Sequence, residues 1–180
     1  MRTAVKSSSS SAPPVVEQPF RTLIRVFGLV RRVMEPYFAR FGVSGAQWGI
    51  LRALHRAEGE GESPVRLTDL SKYLLVRPPS VTGTVDRLVR MGLVARVAPA
   101  ASEDDQRVKR VQLTTAGRKL VKRILQHHPA QVEKMLSALD PAERREFQRL
   151  LIRFGNHLES LVDQPAGNGK IEKAEASVKS

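Results

Sequence analysis

The segment between residues 78 and 113 constrains the fold most, because a helical pattern gives way there to two short extended runs. The Pro78-Pro79 pair suits the first turn of a helix, where backbone amides have no partner within the helix. Gly92 stands where the end of a helix favours a residue with positive φ. Two β-leaning runs, Leu93–Val97 and Val108–Leu113, follow with a polar loop between them, which predicts a hairpin with a long tip.

Helical patterns also precede this segment. Apolar side chains recur at three- and four-residue spacings from 20 to 41, although Pro36 is expected to kink that helix or end it early. Ser44 and Gln47 have the spacing of a capping box, which predicts that a helix begins after Ser44. Thr68 suits the N-cap of a short helix. This helix directly precedes the one that Pro78 begins, which is basic because it contains Arg87 and Arg90.

Further helices follow the hairpin. Residues 115–135 have a helical pattern that Pro129 is expected to bend or split. Asp140, Pro141 and Glu143 then form a helix start, with a cap, a first-turn proline and a third-position carboxylate. The apolar stripes of the first and last helices exceed what the short elements between them can cover, so we interpret them as a shared homodimer core. The alternative is that both stripes are covered within one chain.

The elements therefore run helix, helix, short helix, basic helix, hairpin, helix, helix. This order predicts a mainly α fold with a small β-hairpin wing, that is, a winged helix-turn-helix plus a helical dimerisation region. The second helix of such a pair fits the major groove, where base edges are distinguishable. We expect one domain over 18–164, with a DNA-binding part at about 44–115, dimerisation helices at about 18–41 and 116–162, and disordered tails at 1–17 and 165–180.

The charge of the chain agrees with a polyanionic partner. The formal net charge is +12 and the sequence pI is about 10.8. Residues 77–123 contain eleven basic and four acidic side chains, so this stretch alone carries +7. A solvated basic surface is the alternative, but the order of the elements argues against it. Double-stranded DNA is therefore the expected partner.

Several chemistries are not expected. The chain has no cysteine, which excludes disulfides, thiolate metal sites and the sensing of peroxide by thiol oxidation. The four histidines lack metal-ligand spacing, and no G-x-S-x-G, P-loop or dinucleotide motif occurs. We therefore expect no enzyme activity, no cofactor and no metal. No apolar run approaches the roughly 20 residues that cross a bilayer, and the N-terminus lacks the apolar centre of a secretory signal, so a cytoplasmic protein is expected.

Short motifs in a fixed order add a resemblance to these patterns. They are Phe41-Gly42-Val43-Ser44, Leu67-Thr68-Asp69-Leu70, Pro79-Ser80-Val81-Thr82, Val85-Asp86-Arg87-Leu88, Asp105-Gln106-Arg107 and Leu113-Thr114-Thr115-Ala116-Gly117. In this order and at these spacings the chain, from about 20 to 162, resembles the MarR family of bacterial transcription regulators. The resemblance implies a dimeric winged helix-turn-helix protein that binds a palindromic operator at the nucleoid and releases it when a small molecule binds.

The resemblance also implies roles for individual residues. The helix over 78–92 reads the major groove, and Arg107 enters the minor groove, oriented by Asp105 with assistance from Asp86. The expected DNA-binding residues are Arg77, Pro79, Ser80, Thr82, Gly83, Arg87, Arg107 and Lys109. The chain departs from the family in three places. Arg77 replaces the usual hydroxyl cap, Gly83 stands where many relatives place arginine, and Ala98-Pro99-Ala100-Ala101 lengthens the wing.

The signal that controls such a regulator is the remaining expectation. An aromatic or carboxylate effector would occupy a crevice lined by Tyr37, Trp48, Arg52 and His55, where an arginine beside an aromatic wall can receive a carboxylate. The alternative is that Trp48 is core, Arg52 is a surface ion-pair partner and His55 is solvated. For the whole chain, a sequence-specific, ligand-responsive repressor is expected, and a non-specific nucleic-acid-coating or architectural protein is the alternative.

Overall fold

The computed structural model describes residues 17–98 and 109–163. Its elements are α1 (Glu17–Ala39), α2 (Gly45–Gly59), β1 (Val65–Arg66), α3 (Leu67–Tyr73), α4 (Pro78–Arg90), β2 (Val94–Val97), β3 (Arg110–Leu113), α5 (Thr115–Leu136) and α6 (Pro141–Val162). The chain divides into two compact units, with the boundary directly after Pro129. Asp105 and Arg107 of the wing motif lie outside the described residues, as do 1–16 and 164–180 of the two tails.

Local sequence signals place several helix ends as expected. Ser44 and Gln47 form the predicted capping box, with the Gln47 amide donating to the Ser44 hydroxyl at 3.2 Å and the Ser44 amide donating to Gln47 Oε1 at 2.8 Å. Pro78 occupies the first turn of α4, and Gly92 behind that helix has a φ of +69°. The Asp140 carboxylate accepts from the amides of the first turn of α6, which confirms the last predicted start.

Thr68 is not the N-cap of the short helix, and that prediction was wrong. Helix α3 begins at Leu67 with Arg66 as its N-cap, and no side chain caps it. The reason is a strand that the sequence pattern did not reveal. Val65 and Arg66 pair with β3, and the Leu67 amide donates to the Lys109 carbonyl at 3.1 Å, so strand pairing fixes the entry into α3.

The two internal prolines do not end their helices. Helix α1 continues through Pro36 to Ala39, so only the part of the apolar pattern beyond Ala39 lies outside the helix. Helix α5 likewise continues through Pro129 to Leu136. A proline removes one backbone hydrogen bond, and the tertiary packing of a helix can offset that loss. In α1 the residues directly after the proline, Tyr37 and Phe38, are buried.

The predicted hairpin is part of a three-stranded antiparallel sheet in the order β1-β3-β2. Val94 pairs with Leu113 and Val97 with Arg110, which confirms the pairing of the two β-leaning runs. Strand β1, which the sequence did not predict, is only two residues long, and an alternating pattern cannot show over so short a run. We call the β2–β3 hairpin the wing.

The core of the first unit is built from α1, α2, α3, α4, the sheet and the start of α5, and α4 packs mainly against α2, α3 and β2. Its fully buried side chains are Leu51, Leu54, Leu70, Val81, Val85, Leu88, Val94, Val111, Val121 and Ile124. Arg118 of α5 donates to the Glu58 carboxylate of α2 at 2.7 Å, and this hydrogen bond holds the pKa of Glu58 below its ordinary value. The helix that is expected to meet DNA is thus mounted on a packed scaffold.

The start of α5 is fixed against the turn before the wing. The Thr114 hydroxyl donates to the Gly92 carbonyl at 2.7 Å and accepts from the Gly117 amide at 3.0 Å. The Thr114 amide donates to the Leu93 carbonyl at 3.1 Å. These bonds draw the two backbone segments together, and a Cβ atom on Gly117 would lie 2.1 Å from the Leu93 oxygen. The Leu-Thr-x-x-Gly motif therefore marks the place where the start of α5 lies directly against the backbone of Leu93.

The second unit contains the last turns of α5 and all of α6. Arg144 donates to the Leu139 carbonyl at 2.9 Å and to Glu133 at 2.8 Å, so the two helices are joined near their connection. No residue of α6 is buried. Its exposed apolar side chains include Phe147, Leu150, Leu151, Phe154, Leu158 and Leu161.

Candidate nucleic-acid interface

Helix α4 has one anchored face and one free face. Val81, Val85 and Leu88 are at most 1% exposed, so they fix the helix in the core as predicted. The opposite face is available to a partner. Arg77, Pro79, Ser80, Arg87 and Arg90 are exposed, and Thr82 and Gly83 are half-buried. An anchored helix with a polar and basic outer face is the arrangement that major-groove recognition requires.

The N-terminus of α4 is satisfied by its own backbone. Pro78 and Pro79 have no amide hydrogens to satisfy, and the amides of Ser80 and Val81 donate to the Arg77 carbonyl at 3.0 and 3.4 Å. The absence of a hydroxyl cap at Arg77 therefore leaves little unpaired. It also means that a phosphate at this end would be held chiefly by the Arg77 guanidinium and the helix dipole.

The hydroxyls of α4 differ in what they can offer to a base. Thr82 Oγ1 donates to the Pro78 carbonyl at 3.1 Å, so its hydrogen is engaged while its lone pairs and methyl group stay available. Ser80 makes no side-chain hydrogen bond within the described part of the chain, so its hydroxyl can donate or accept. Thr82 can therefore accept a hydrogen bond from a base amine or contact a thymine methyl group. The Ser80 hydroxyl can either donate a hydrogen bond to a base or accept one.

Gly83 leaves open space on the outer face of α4. A Cβ atom built there meets nothing within 4 Å. Packing therefore does not require glycine at this position, and a Cβ atom would meet no neighbour. Where relatives are expected to place arginine, this chain offers bare backbone.

Asp86 has a partner that sequence reasoning missed. Its carboxylate accepts from the Arg96 guanidinium, which belongs to β2 of the wing. Both side chains are partly exposed, so the pair adds at most about 1 kcal/mol to stability. Its effect is positional, because it ties the wing to the outer side of α4. The expected partner Arg107 lies outside the described residues, and no spacing in the sequence indicated Arg96 as a partner.

The base of the wing carries further cations. Lys109 is exposed directly before β3, and Arg110 donates to the Pro64 carbonyl at 3.3 Å. The wing and α4 therefore place basic side chains on adjacent elements, joined through the Asp86–Arg96 ion pair. Such an arrangement can contact a duplex in one groove and along the neighbouring backbone.

The four expected effector residues have very different surroundings. Tyr37 is buried and its hydroxyl donates to the Ile124 carbonyl at 2.9 Å. Trp48 is buried and stacks on Phe38 with ring centroids 5.6 Å apart. Arg52 is exposed, whereas His55 is half-buried and its Nδ1 has no hydrogen-bond partner. Trp48 is thus core, as the alternative proposed, and Tyr37 is core as well, but His55 is not a freely solvated side chain.

His128 joins this aromatic cluster and was missed by sequence reasoning. Its ring centroid lies 5.9 Å from that of Trp48 and 6.0 Å from that of Tyr37. Burial lowers the pKa of His128 below its ordinary value, and the charge of Arg52 lowers it further. The adjacent His127 stacks instead on Phe41.

We expect the cluster to make stability depend on pH. Because the fold favours neutral His128, its contribution to the free energy of unfolding is complete above about pH 6.5, the ordinary histidine value, and is lost as the pH falls towards the lowered pKa. His128→Phe should therefore lose less thermal stability than the wild type between about pH 7 and pH 5. His127→Phe is the matched control and should keep the wild-type dependence. Parallel melting curves for all three proteins would contradict the assignment.

Other kinds of site find no support in the described residues. Across 17–98 and 109–163, no group of three or more histidine, aspartate and glutamate side chains could hold a metal ion. None of the helices in these ranges combines the length and hydropathy needed to span a membrane. A groove of about 660 Å³ beside Arg31, Arg32 and Glu35 of α1 is formed by none of the four expected effector residues.

Comparison with known proteins agrees with this geometry. The MarR family profile matches residues 41–107. The transcriptional repressor YetL of Bacillus subtilis is 30% identical over 132 residues, 73% of this chain and 75% of YetL. The regulator PecS of Dickeya dadantii is 28% identical over 138 residues, 76% of this chain and 80% of PecS. A crystal structure of a mutant E. coli MarR with operator DNA has a TM-score of 0.67 at 24% identity, covering 76% of this chain and 94% of that one. The chain belongs to the MarR family of transcriptional regulators.

Proposed function

We propose that this protein is a sequence-specific DNA-binding repressor that acts as a homodimer on a palindromic operator. The observation that carries the proposal is the mounting of α4, with three apolar side chains buried in the core and a polar, basic face left free. A relative of this chain is named a repressor, and a structural neighbour is a complex with operator DNA. The role is regulation in the bacterial cytoplasm, at the nucleoid, and not catalysis.

The homodimer is supported by apolar surface on α1 and on α6. Phe20 and Phe27 of α1 are 62% and 63% exposed, and Phe154 of α6 is 41% exposed. On α1 the stripe is covered at its C-terminal end, where Met34 and Phe38 enter the core, and uncovered over the preceding turns. Apolar patches of this length on a soluble chain mark an interface. A second copy of the chain would cover them.

The experiment that tests the proposed function is a selection of bound sequences from random duplex DNA. A sequence-specific homodimer should enrich a palindrome whose half-sites lie about one helical turn apart. The net charge of +12 would also suit a protein that coats nucleic acid without sequence preference. Binding without any enriched motif would support that second function and overturn the first.

Base readout is expected from Ser80 and Thr82. Ser80→Ala should relax the preference at one or two operator positions, with each lost contact worth roughly 1–3 kcal/mol. Thr82→Ser and Thr82→Val separate the two groups of the threonine. The first loses only the methyl contact and the second only the hydroxyl. The measurement is the binding profile over a library of single-base operator variants. Unchanged profiles for all three variants would move base readout to other residues.

Arg77→Ala is the matched control for base readout, because we propose that its guanidinium contacts phosphate and not a base. It should weaken binding to all sequences about equally and reduce the salt dependence by about one counterion per subunit. Pro79, Gly83 and Arg87 complete the proposed contact surface of α4. Arg87 can contact either a base or a phosphate. The binding profile of Arg87→Ala over the same operator variants distinguishes the two.

Arg107 is expected to contribute more to DNA affinity than any other single residue outside α4. A guanidinium in a narrow minor groove meets concentrated negative potential. Arg107→Ala should weaken operator binding and leave the oligomeric state and melting temperature unchanged. Asp105→Ala should give a weaker defect if the aspartate orients the arginine, although the lost negative charge acts in the opposite direction. Tighter binding by Asp105→Ala, with no effect of Arg107→Ala, would show that the wing acts through bulk charge alone.

An aromatic or carboxylate effector remains part of the proposed function. Arg52 and His55 are the two expected residues with side chains that a ligand can reach, since Tyr37 and Trp48 are engaged in the core. Arg52 lies near His128, and both histidine Nδ1 atoms, of His55 and His128, are buried without a hydrogen-bond partner. A carboxylate seated on Arg52 with His55 as a donor is the arrangement that we propose.

A further inference from the structure

A small cavity lies beneath the N-terminal half of α4, separate from the aromatic cluster. Its volume is about 170 Å³, and its walls come from α2, from the turn between α3 and α4, and from α4 itself. Its lining includes the side chains of Ile50, Leu74, Val76, Ser80, Val81 and Thr84. We propose that this cavity is a binding site for a neutral, apolar molecule of about the size of benzene.

The lining selects the chemistry of the occupant. No charged side chain is among the residues that form the cavity, so an ionic ligand would lose its hydration without gaining a partner. The Thr84 hydroxyl already donates to the Ser80 carbonyl at 2.8 Å, and the Ser80 hydroxyl lies at the exposed rim, so the inner walls are apolar. The cavity under α4 opens to the surface, and its volume is comparable to the roughly 150 Å³ of an engineered aliphatic cavity that binds benzene in another protein.

A glycine keeps the cavity open. Gly49 lies inside α2, and a Cβ atom built on it would meet only Leu74 Cδ2, at an ordinary contact distance of 3.8 Å. Packing therefore does not require glycine at this position. A glycine within a helix costs about 1 kcal/mol relative to alanine. The chain thus retains an empty space beside α4 although a larger residue would fit and would stabilise the helix.

The cavity is also accessible and lies next to the proposed DNA contacts. Val76 is 44% exposed, and Ala46 and Ser80 are exposed as well, so they form a rim at the surface. Val81, buried against the core, forms part of the inner wall. A molecule in the cavity would touch the turn of α4 that carries Ser80. The regulatory consequence rests on the proposed function: occupancy should lower operator affinity, by roughly fivefold or more, a typical coupling between two sites.

The binding site can be tested on the free wild-type protein, without DNA. Benzene should bind saturably, with a dissociation constant on the order of 1 mM for so small a ligand. Nuclear Overhauser effects should connect the benzene protons to the methyl groups of Ile50, Leu74 and Val81. Gly49→Leu should fill the space and abolish binding. Gly59→Leu, in the same helix where a Cβ atom meets nothing within 4 Å, is the matched control and should bind as the wild type does.

Three outcomes decide the proposal. Nuclear Overhauser effects to the aromatic cluster instead of the cavity methyls, or the absence of saturable binding, would overturn the site, even if Gly49→Leu fails to fold. Binding at the cavity with unchanged operator affinity would uphold the site and overturn its coupling to DNA. A wild-type protein that selects no operator would overturn the proposed function, while the benzene titration would still decide on the site.

Discussion

Phe154→Asp should convert the protein from a dimer into monomers or aggregates. The Phe154 side chain belongs to the exposed apolar stripe of α6, and α6 has no buried residue within its own chain. If a second copy covers this stripe, the substitution places an unpaired carboxylate inside an apolar interface, which costs several kcal/mol. Leu151→Asp, one turn earlier on the same stripe, should behave in the same way. The measurement is sedimentation at micromolar concentration.

The control for this prediction is Asn156→Asp. It introduces the same charge into the same helix, on the face opposite the stripe, where the side chain is exposed. We expect it to sediment as the wild type does. The monomeric variants should also lose most of their operator affinity, because each half-site would then be bound separately. A wild-type protein that sediments as a well-folded monomer would overturn the proposed dimer.

The helix ends could be predicted from the sequence because their signals are local. The capping box of Ser44 and Gln47, the two prolines of α4 and the positive φ of Gly92 each depend on residues within one helical turn. Apolar spacing was sufficient for the inner face of α4 for the same reason. The order of these elements then predicted the winged helix-turn-helix fold, and the motif order added the family resemblance.

Features that depend on distant residues were missed or misplaced. Thr68 looked like a cap, but the pairing of β1 with β3, more than 40 residues away in the chain, places the start of α3 at Leu67. The ion pair between Asp86 and Arg96 of the wing was also missed. No spacing rule indicates which partner a surface carboxylate finds across two elements.

The effector residues illustrate the same limit for side chains. Tyr37 and Trp48 looked like the aromatic wall of a crevice, and only the folded chain shows that the Tyr37 hydroxyl is used by the Ile124 carbonyl. His128 lies 80 residues after Trp48 and could not be assigned to the cluster from its sequence neighbours. The cavity beside Gly49 could not be predicted from the sequence either. A glycine within a helix can mark a cavity or a close contact with a neighbouring backbone, and the sequence does not distinguish the two.

Gly117→Ala should lower the free energy of unfolding by about 3 kcal/mol, because overpacking against fixed backbone is costly. The new Cβ atom would lie 2.1 Å from the Leu93 oxygen and 3.1 Å from the Leu93 carbonyl carbon. Leu93 cannot move away easily. Its carbonyl accepts from the Thr114 amide at 3.1 Å, and its own amide donates to the Leu88 carbonyl at 3.0 Å, at the end of α4.

Gly83→Ala should raise the free energy of unfolding in the same experiment. It is the same substitution within a helix, at a position where the new methyl group meets nothing within 4 Å. It should stabilise the fold by about 0.5–1 kcal/mol through helix propensity. Urea denaturation of the wild type and both variants measures the two shifts in midpoint at equal slope. If Gly117→Ala is as stable as the wild type, the backbone at Leu93 must move to accommodate the new methyl group. The Leu-Thr-x-x-Gly motif would then not hold α5 against the base of the wing.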